Sequence, residues 1–210
     1  MTAPLRVAWL GRLPYPEAHA RMVALLEARI AGEVGDTLLL CEHEPVFTLG
    51  RARAAAGNVL DPGDVPVVSV ERGGDVTYHG PGQLVGYPVV ALPHHDLHAW
   101  LRGLEDVCIA VLGRWGVVGG RDARNTGVWV DGRKIAAIGV AVRRWVTWHG
   151  FALNVDPDLL LYRRINPCGM DSTLVTAMSE HVSPYPRLAE VRDATAAEFR
   201  RWWADWSQAG

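Results

Sequence analysis

The amino-acid sequence predicts a mixed α/β fold, in which a β-sheet is flanked by helices. Three observations support this expectation: segments of strand and helix periodicity alternate along the chain, at least one pair of strands is joined by a two-residue turn, and no repeat or polar linker divides the chain. Strands joined by so short a turn run antiparallel, so the sheet cannot be entirely parallel. We therefore expect a single domain that spans residues 1–210.

Short apolar runs bounded by polar or turn-forming residues predict most of the strands. They are RVAWLGRL (6–13), DTLLLC (36–41), PVFTLG (45–50), VPVVSVER (65–72) and TWHGFALNV (147–155).

A hairpin is predicted in GVWVDGRKIAAIGVAV (127–142), where Asp131-Gly132 separates two alternating runs. That dipeptide favours the positive φ angles of a two-residue hairpin turn. Lys134 is therefore expected near the start of the second strand. The pair Arg143-Arg144 is expected to turn the chain into the strand that follows.

Apolar residues spaced three and four apart predict the helices. The first begins after Pro14 and runs to about Ile30, before two glycines that end it. The longest pattern covers Leu97–Trp115, and a closing helix covers Arg187–Trp206. A short helix is expected within DPDLLLYRRI (156–165).

The composition is that of an ordinary globular protein. Of the 210 residues 49% are hydrophobic and 21% are charged, which excludes disorder, collagen and a coiled coil. The formal net charge of −2 argues against a general nucleic-acid binder. No stretch approaches the roughly 18 apolar residues of a membrane span, and three cysteines are too few for a disulfide framework. We expect a cytoplasmic protein without membrane association.

The cationic residues are distributed unusually between lysine and arginine. Twenty are arginine and only Lys134 is lysine. An ammonium group can lose its proton at an accessible pH, whereas a guanidinium group cannot. Lys134 is thus a candidate for proton transfer, and the alternative is a lysine that has persisted by chance.

The three cysteines lie in different sequence contexts. Cys41 ends an aliphatic strand and Cys108 lies on the apolar face of the longest helix, where free cysteine behaves as a small buried hydrophobe. Cys168 lies in RRINPCGMD, between a proline and a glycine that interrupt regular hydrogen bonding. Such a loop can present a thiolate nucleophile beside free backbone amides. The alternative is a loop thiol that packs under Met170.

Two further segments are weaker candidates for a site. The glycine-rich segment Arg72–Pro88 does not match a dinucleotide-binding motif, because its spacing is too long and a strand follows it. It predicts either a ligand-binding loop, with His79 as base or orienting group, or a hairpin with unusual turns. The HHDLH segment at His94, His95 and His98 has no second cluster of metal ligands, so no metal site is expected.

Four sequence blocks resemble the lipoate-protein ligase B family, the lipoyl(octanoyl) transferases. The blocks are RGGDVTYHGPGQLVGYPVV (72–90), GRKIAAIGV (132–140), HGFALNV (149–155) and RINPCG (164–169). The resemblance implies the catalytic-domain fold of the biotin and lipoate protein ligases. It implies transfer of an octanoyl or lipoyl group from acyl carrier protein to a lysine of apo-lipoyl domains, in 2-oxoacid dehydrogenase E2 subunits and in the glycine cleavage H protein. It implies no cofactor.

The resemblance also implies roles for individual residues. Cys168 corresponds to the nucleophile that carries the acyl group as a thioester. Lys134 corresponds to the residue that adjusts the pKa of that cysteine. The acyl-binding positions correspond to Arg72, Gly73, Gly74, Asp75, Val76, Thr77, Tyr78, His79, Ala137, Ile138, Gly139, Gly150, Phe151 and Ala152.

Three alternative functions remain open from the sequence. An ATP-dependent lipoate or biotin ligase would share the fold, with the lysine at an adenylate and an incidental cysteine. A thioesterase would release the acyl group to water. A non-catalytic module would bind lipoyl domains without using Cys168.

Overall fold

Two β-sheets and three α-helices form the part of the chain that this computed structural model describes, residues 4–208 without the side chain of Cys168. The helices are α1 (Tyr15–Ala31), α2 (Leu97–Gly113) and α3 (Leu188–Trp206). The strands are β1 (Arg6–Leu13), β2 (Thr37–His43), β3 (Val46–Leu49), β4 (Val67–Ser69), β5 (Val76–His79), β6 (Gln83–Val89), β7 (Gly127–Val130), β8 (Arg133–Arg143) and β9 (Val146–Asn154).

The larger sheet is mixed, as the sequence predicts. It has six strands in the order β1-β2-β6-β9-β8-β7, in which β1 and β2 are parallel and the other neighbours are antiparallel. The smaller sheet has the order β4-β3-β5, with one parallel and one antiparallel pair. The expected mixed α/β class is therefore confirmed, with a second small sheet that the sequence pattern did not separate from the first.

The helices cover both faces of the larger sheet. Helices α2 and α3 bury Trp100, Leu104 and Phe199 against one face. Helix α1 buries Met22 and Leu26 against the other. Each helix exposes its remaining side to solvent, which explains the three-four spacing of its apolar residues. In the described part of the chain, no helix combines the length and the apolar character that a membrane crossing requires.

The predicted turns are found at or close to their expected positions. Asp131 and Gly132 have φ angles of 48° and 74°, as the hairpin turn between β7 and β8 requires. The next turn uses Arg144 and Trp145, one residue later than predicted, with φ angles of 51° and 59°. The predicted short helix near residue 160 is a 3-10 helix, Leu159–Arg164.

A buried histidine lies where α1, β2 and β6 meet. The Nδ1 of His43 donates to the carbonyl of Leu13 at 3.2 Å, and its Nε2 accepts from the Tyr87 hydroxyl at 2.7 Å. Both nitrogens are used by a neutral ring, and burial lowers the pKa of His43 to about 4. The core around it is therefore built for an uncharged imidazole.

This histidine makes folding stability depend on pH. His43 titrates near 6.5 when unfolded and at about 4 when folded, so the unfolded chain binds an additional proton between these values. We expect its contribution to the free energy of unfolding to fall as the pH drops from 6.5 to 4, by up to about 1.4 kcal/mol per pH unit. The substitution His43→Gln should make the free energy of unfolding fall less steeply with decreasing pH over this range.

Urea unfolding at several pH values checks this expectation. The control is His98→Gln, because His98 is exposed in the first turn of α2 and should leave the slope unchanged. Equal slopes in the wild type and His43→Gln would contradict the assignment.

Candidate active site

An apolar cavity lies between the two sheets. It encloses about 760 Å³ of empty space, counting the part that is open to solvent. Strands β6, β8 and β9 of the larger sheet form one wall, and β3, β5 and the segment before β5 form the other. A cavity with this lining, largely apolar with a few polar side chains, is typical of a site for a small ligand or an acyl chain.

Most residues that the sequence predicts to bind an acyl group line this cavity. They are Arg72, Gly74, Asp75, Val76, Thr77, His79, Ala137, Ile138, Gly139, Gly150, Phe151 and Ala152. They come from the segment that leads into β5 and from the paired strands β8 and β9, where Ala137 lies opposite Ala152 and Gly139 opposite Gly150.

Gly73 and Tyr78 are not among the described residues that line the cavity. The backbone N–H of Gly73 instead donates to Val140 at 2.9 Å and attaches this segment to β8. Side chains alternate along β5, so Tyr78 points away from the side of Thr77 and His79. Its ring packs against Phe47 and Tyr162, with centroid distances of 5.7 and 5.4 Å.

Close backbone approach explains one glycine of the cavity wall. A Cβ atom at Gly139 would lie 2.9 Å from the carbonyl oxygen of Gly73 and 3.1 Å from a carbon of Arg72. A larger residue would push the segment before β5 away from β8. Gly139 therefore lets the two walls approach each other.

Lys134 lies in the wall of this cavity, on β8. Only 8% of the residue is exposed. Its Nζ donates to Asn125 Oδ1 at 2.6 Å and lies 5.7 Å from the centroid of the Trp129 ring. The amine of the only lysine in the sequence is thus directed toward Asn125 and Trp129.

Asn125 connects Lys134 to the segment that contains Cys168. While its Oδ1 accepts from the lysine, its Nδ2 donates to Met170 Sδ at 3.2 Å. Residues Pro167–Gly169 form a 3-10 turn, and both Pro167 and Met170 line the cavity with Lys134. The backbone on either side of Cys168 therefore lies at the same cavity as Lys134, whereas the Cys168 side chain lies outside the described atoms.

A buried carboxylate fixes the backbone that lies against Lys134. Glu105, on α2, is fully buried, and its Oε1 accepts from the backbone N–H of Gly127 at 2.9 Å. Arg102 and Arg121 donate to its other oxygen. Burial alone would raise the pKa of Glu105, but these hydrogen bonds and charges outweigh it and lower the pKa.

Gly127 must be a glycine because of its positive φ angle and its close approach to the backbone of β8. Its φ angle is 141°, and a Cβ atom there would lie 2.4 Å from Lys134 Cε and 2.5 Å from the carbonyl of Ala136. The hydrogen bond from Gly127 to Glu105 thus holds the backbone on which the lysine side chain rests.

Arg72 braces the opposite wall. Its guanidinium donates to the carbonyls of Gly73, Asp75 and Thr48 and to the Thr48 hydroxyl, at 2.7 to 3.1 Å. These acceptors belong to β3 and to the segment before β5. Arg72 therefore holds the glycine-rich segment in its path while its side chain lines the cavity.

His79 is hydrogen-bonded within the wall on both ring nitrogens. Its Nδ1 donates to Gln83 Oε1 at 2.7 Å, so its Nε2 accepts from the Thr48 hydroxyl at 3.3 Å. Burial, together with nearby His43, lowers the pKa of His79 well below its ordinary value. Of the two roles considered from the sequence, this arrangement favours the orienting one over that of a general base.

The remaining sequence candidates lie outside the cavity. Nε2 of His94 forms a hydrogen bond with the Trp206 carbonyl at 3.1 Å. The His95 ring stacks on Trp145 with a centroid distance of 4.3 Å. Cys41 and Cys108 are buried in the two cores beneath the helices, and burial raises the pKa of both thiols, that of Cys108 to about 12. The structural interpretation of these two cysteines is confirmed.

Several cavity residues were missed at the sequence level. Tyr15, Thr48, Tyr87 and His149 also line the cavity, and Asn125 reaches it through Lys134. They come from α1, β3, β6, β9 and the loop before β7, so no local spacing could have joined them. Tyr87 and His149 each lie within a quoted block, which was the only available signal.

The comparisons with known proteins find relatives along most of the chain. The family model of the lipoyl protein ligase A/B catalytic domain matches residues 14–200. An octanoyltransferase from Geobacter metallireducens is 49% identical over 192 residues, which cover 90% of this chain and 89% of that protein. Another from Gloeobacter violaceus is 47% identical over 194 residues, which cover 91% and 86%.

Solved structures show the same fold at low sequence identity. A lipoate-protein ligase A bound with ATP superposes with a TM-score of 0.75 and 17% identity, covering 97% of this chain and 86% of that one. The biotin protein ligase of Aquifex aeolicus, in complex with biotin and ATP, superposes with a TM-score of 0.61 and 12% identity, covering 98% and 73%. The expected biotin and lipoate ligase type of fold is confirmed. With a family model that spans most of its length and octanoyltransferases nearly half identical to it, the chain belongs to the lipoyl protein ligase A/B catalytic-domain family.

Proposed function

We propose that this enzyme transfers an octanoyl group from the thioester of acyl carrier protein to a lysine of an apo-lipoyl domain, in lipoate biosynthesis. Its octanoyltransferase relatives support the reaction class. The observation that carries the proposal is the meeting of Lys134 with the Pro167–Gly169 turn at one apolar cavity. In this proposal Cys168 is the nucleophile and Lys134 moves the protons.

The first half-reaction loads the enzyme. The Cys168 thiolate attacks the carbonyl carbon of the octanoyl thioester, and the bond from that carbon to the pantetheine sulfur breaks. Lys134, as ammonium, gives its proton to the departing sulfur. The products are an octanoyl thioester on Cys168, a free carrier thiol and a neutral Lys134.

The second half-reaction passes the acyl group to the acceptor. The neutral amine of the target lysine attacks the acyl-enzyme carbonyl, the amide forms and the Cys168 sulfur leaves as thiolate. Lys134 accepts the proton that the new amide nitrogen loses and returns to its ammonium form. Both acyl donors are thioesters that are already activated, so the cycle uses no ATP.

The apolar cavity is the proposed site of the octanoyl chain. Val76, Ala137, Ile138 and Ala152 present apolar surface to it. Each buried CH₂ group contributes about 0.8 kcal/mol, so an eight-carbon chain supplies several kcal/mol of binding free energy.

Exposed arginines offer docking positions for the acidic carrier protein. Two arginine pairs, Arg143-Arg144 and Arg163-Arg164, are the candidates, and Arg143 already forms an ion pair with Glu27. Arg163 is exposed and directly follows Tyr162, which lines the cavity. We therefore propose docking on the Arg163 side. The acceptor is an apo-lipoyl domain, such as those of 2-oxoacid dehydrogenase E2 subunits or the glycine cleavage H protein.

Mass spectrometry of the intact protein tests the acyl-enzyme. Incubation with octanoyl carrier protein, without ATP, should add one octanoyl group, and Cys168→Ser should remove this gain. Cys108→Ala is the matched control and should still be acylated, because Cys108 is buried away from the cavity. Absence of the gain with an intact donor would favour an ATP-dependent ligase, and rapid octanoate release without an acceptor would favour a thioesterase.

The substitution Lys134→Arg tests whether a mobile proton is needed. Arginine retains the positive charge but does not release its proton, so acyl transfer should slow by at least about 100-fold. Steady-state transfer to an apo-lipoyl domain measures this. The control is the reverse exchange at the neighbouring position, Arg133→Lys, which should retain its ion pair with Glu180 and its activity. Near-normal turnover of Lys134→Arg would show that charge alone suffices.

The substitution Asn125→Ala tests the positioning of Lys134. Loss of the acceptor for its Nζ should lower kcat by about 10- to 100-fold with little change in KM for the carrier, and should lower Tm moderately because a buried ammonium loses a partner. Asn125→Asp keeps an acceptor oxygen and should recover much of the rate. A loss of Tm that accounts for the whole rate effect, without recovery by Asn125→Asp, would indicate a purely structural residue.

A further inference from the structure

A second cluster of titratable side chains lies at the other end of the cavity wall. It contains His19 of α1, Glu71 of the segment before β5 and His149 of β9. One nitrogen or oxygen of each lies within 4.8 Å of the others. Nothing in the proposed transfer reaction uses these three groups together.

The cluster contains a buried nitrogen without a well-formed hydrogen bond. His149 is 2% exposed, and its Nε2 has no hydrogen-bond partner among the described residues. A buried imidazole nitrogen without a partner costs free energy unless a ligand or an ion meets it. This nitrogen lies 3.5 Å from Glu71 Oε2, and Nε2 of His19 lies 3.0 Å from the same oxygen.

Two of the three spacings between these atoms are close to those of tetrahedral metal coordination. Zinc binds imidazole nitrogen and carboxylate oxygen at about 2.0 to 2.2 Å, which places neighbouring ligand atoms of a tetrahedron about 3.3 Å apart. The two measured separations, 3.0 and 3.5 Å, lie on either side of this value. Two imidazoles and one carboxylate are also a donor set that zinc prefers.

We propose that His19, Glu71 and His149 bind one divalent transition-metal ion, with Zn²⁺ the best match. The Glu71 side chain is 40% exposed and that of His19 is 28% exposed, so the ion enters from solvent and water completes its coordination. The ion would join α1, β9 and the segment that leads into Arg72.

The site is separate from the reacting groups of the proposed transfer. His149 pairs with Val140, six residues along β8 from Lys134. At about 3.3 Å per residue, this places the two backbone positions roughly 20 Å apart. The ion would therefore stabilise the cavity wall without touching the reacting thioester, and the inference does not depend on the proposed function.

Calorimetric titration with ZnCl₂ tests the site directly. The protein is prepared without a polyhistidine tag and dialysed against EDTA, then against metal-free buffer. We expect saturable binding of one Zn²⁺ per chain. The variants His19→Gln and Glu71→Gln each remove one ligand and should weaken binding by at least about 100-fold, more than the loss of an outer-sphere partner does.

The matched control is His98→Gln, which removes an exposed imidazole from another helix. It should bind Zn²⁺ as the wild type does. Addition of Zn²⁺ should raise the Tm of the wild type and of this control but not that of His19→Gln, because an ion that binds only the folded state stabilises it.

Cobalt provides a spectroscopic readout of the same ligands. Co²⁺ in the wild type should give the visible absorption bands of a tetrahedral site, and Glu71→Gln should abolish them. Absence of saturable Zn²⁺ binding to the wild type would overturn the proposal. So would wild-type affinity in both His19→Gln and Glu71→Gln, since the ion would then lie elsewhere.

Discussion

The burial of one ammonium group beside an apolar cavity is the constraint on which the rest of the site depends. Such a charge is costly in a cavity wall unless polar groups surround it. Here Asn125 accepts from Nζ, and the Trp129 ring faces it. Because Asn125 also contacts Met170, the group that satisfies the lysine holds the chain that carries Cys168 at the same place.

Residues on both sides of the cavity support this arrangement. Glu105 of α2 accepts from Gly127, and Gly127 leaves the space that the lysine side chain occupies. On the other wall Arg72 donates to β3 and to the segment before β5. Each wall is thus held by its own set of contacts. The cavity lies between the two sheets, and neither sheet could form it alone.

Much of the fold could be predicted because its signals are local. Helical spacing between Leu97 and Trp115 gave α2 to within two residues, and Asp131-Gly132 gave the hairpin turn. The division into two sheets was not predictable, because β5 and β6 are separated by only three residues and read as one glycine-rich segment. The single-domain boundaries, and the roles of Cys168 and the acyl-binding residues, stay predictions.

The sequence by itself determined the chemical candidates: the only lysine, a cysteine between proline and glycine, and the blocks that carry the family resemblance. These are properties of single residues and short segments. Only the tertiary structure decided which side chains meet, since Asn125, Met170 and Lys134 come from separate segments, as do His19, Glu71 and His149. Such contacts depend on how sheets and helices pack over long sequence separations, and no local pattern encodes that.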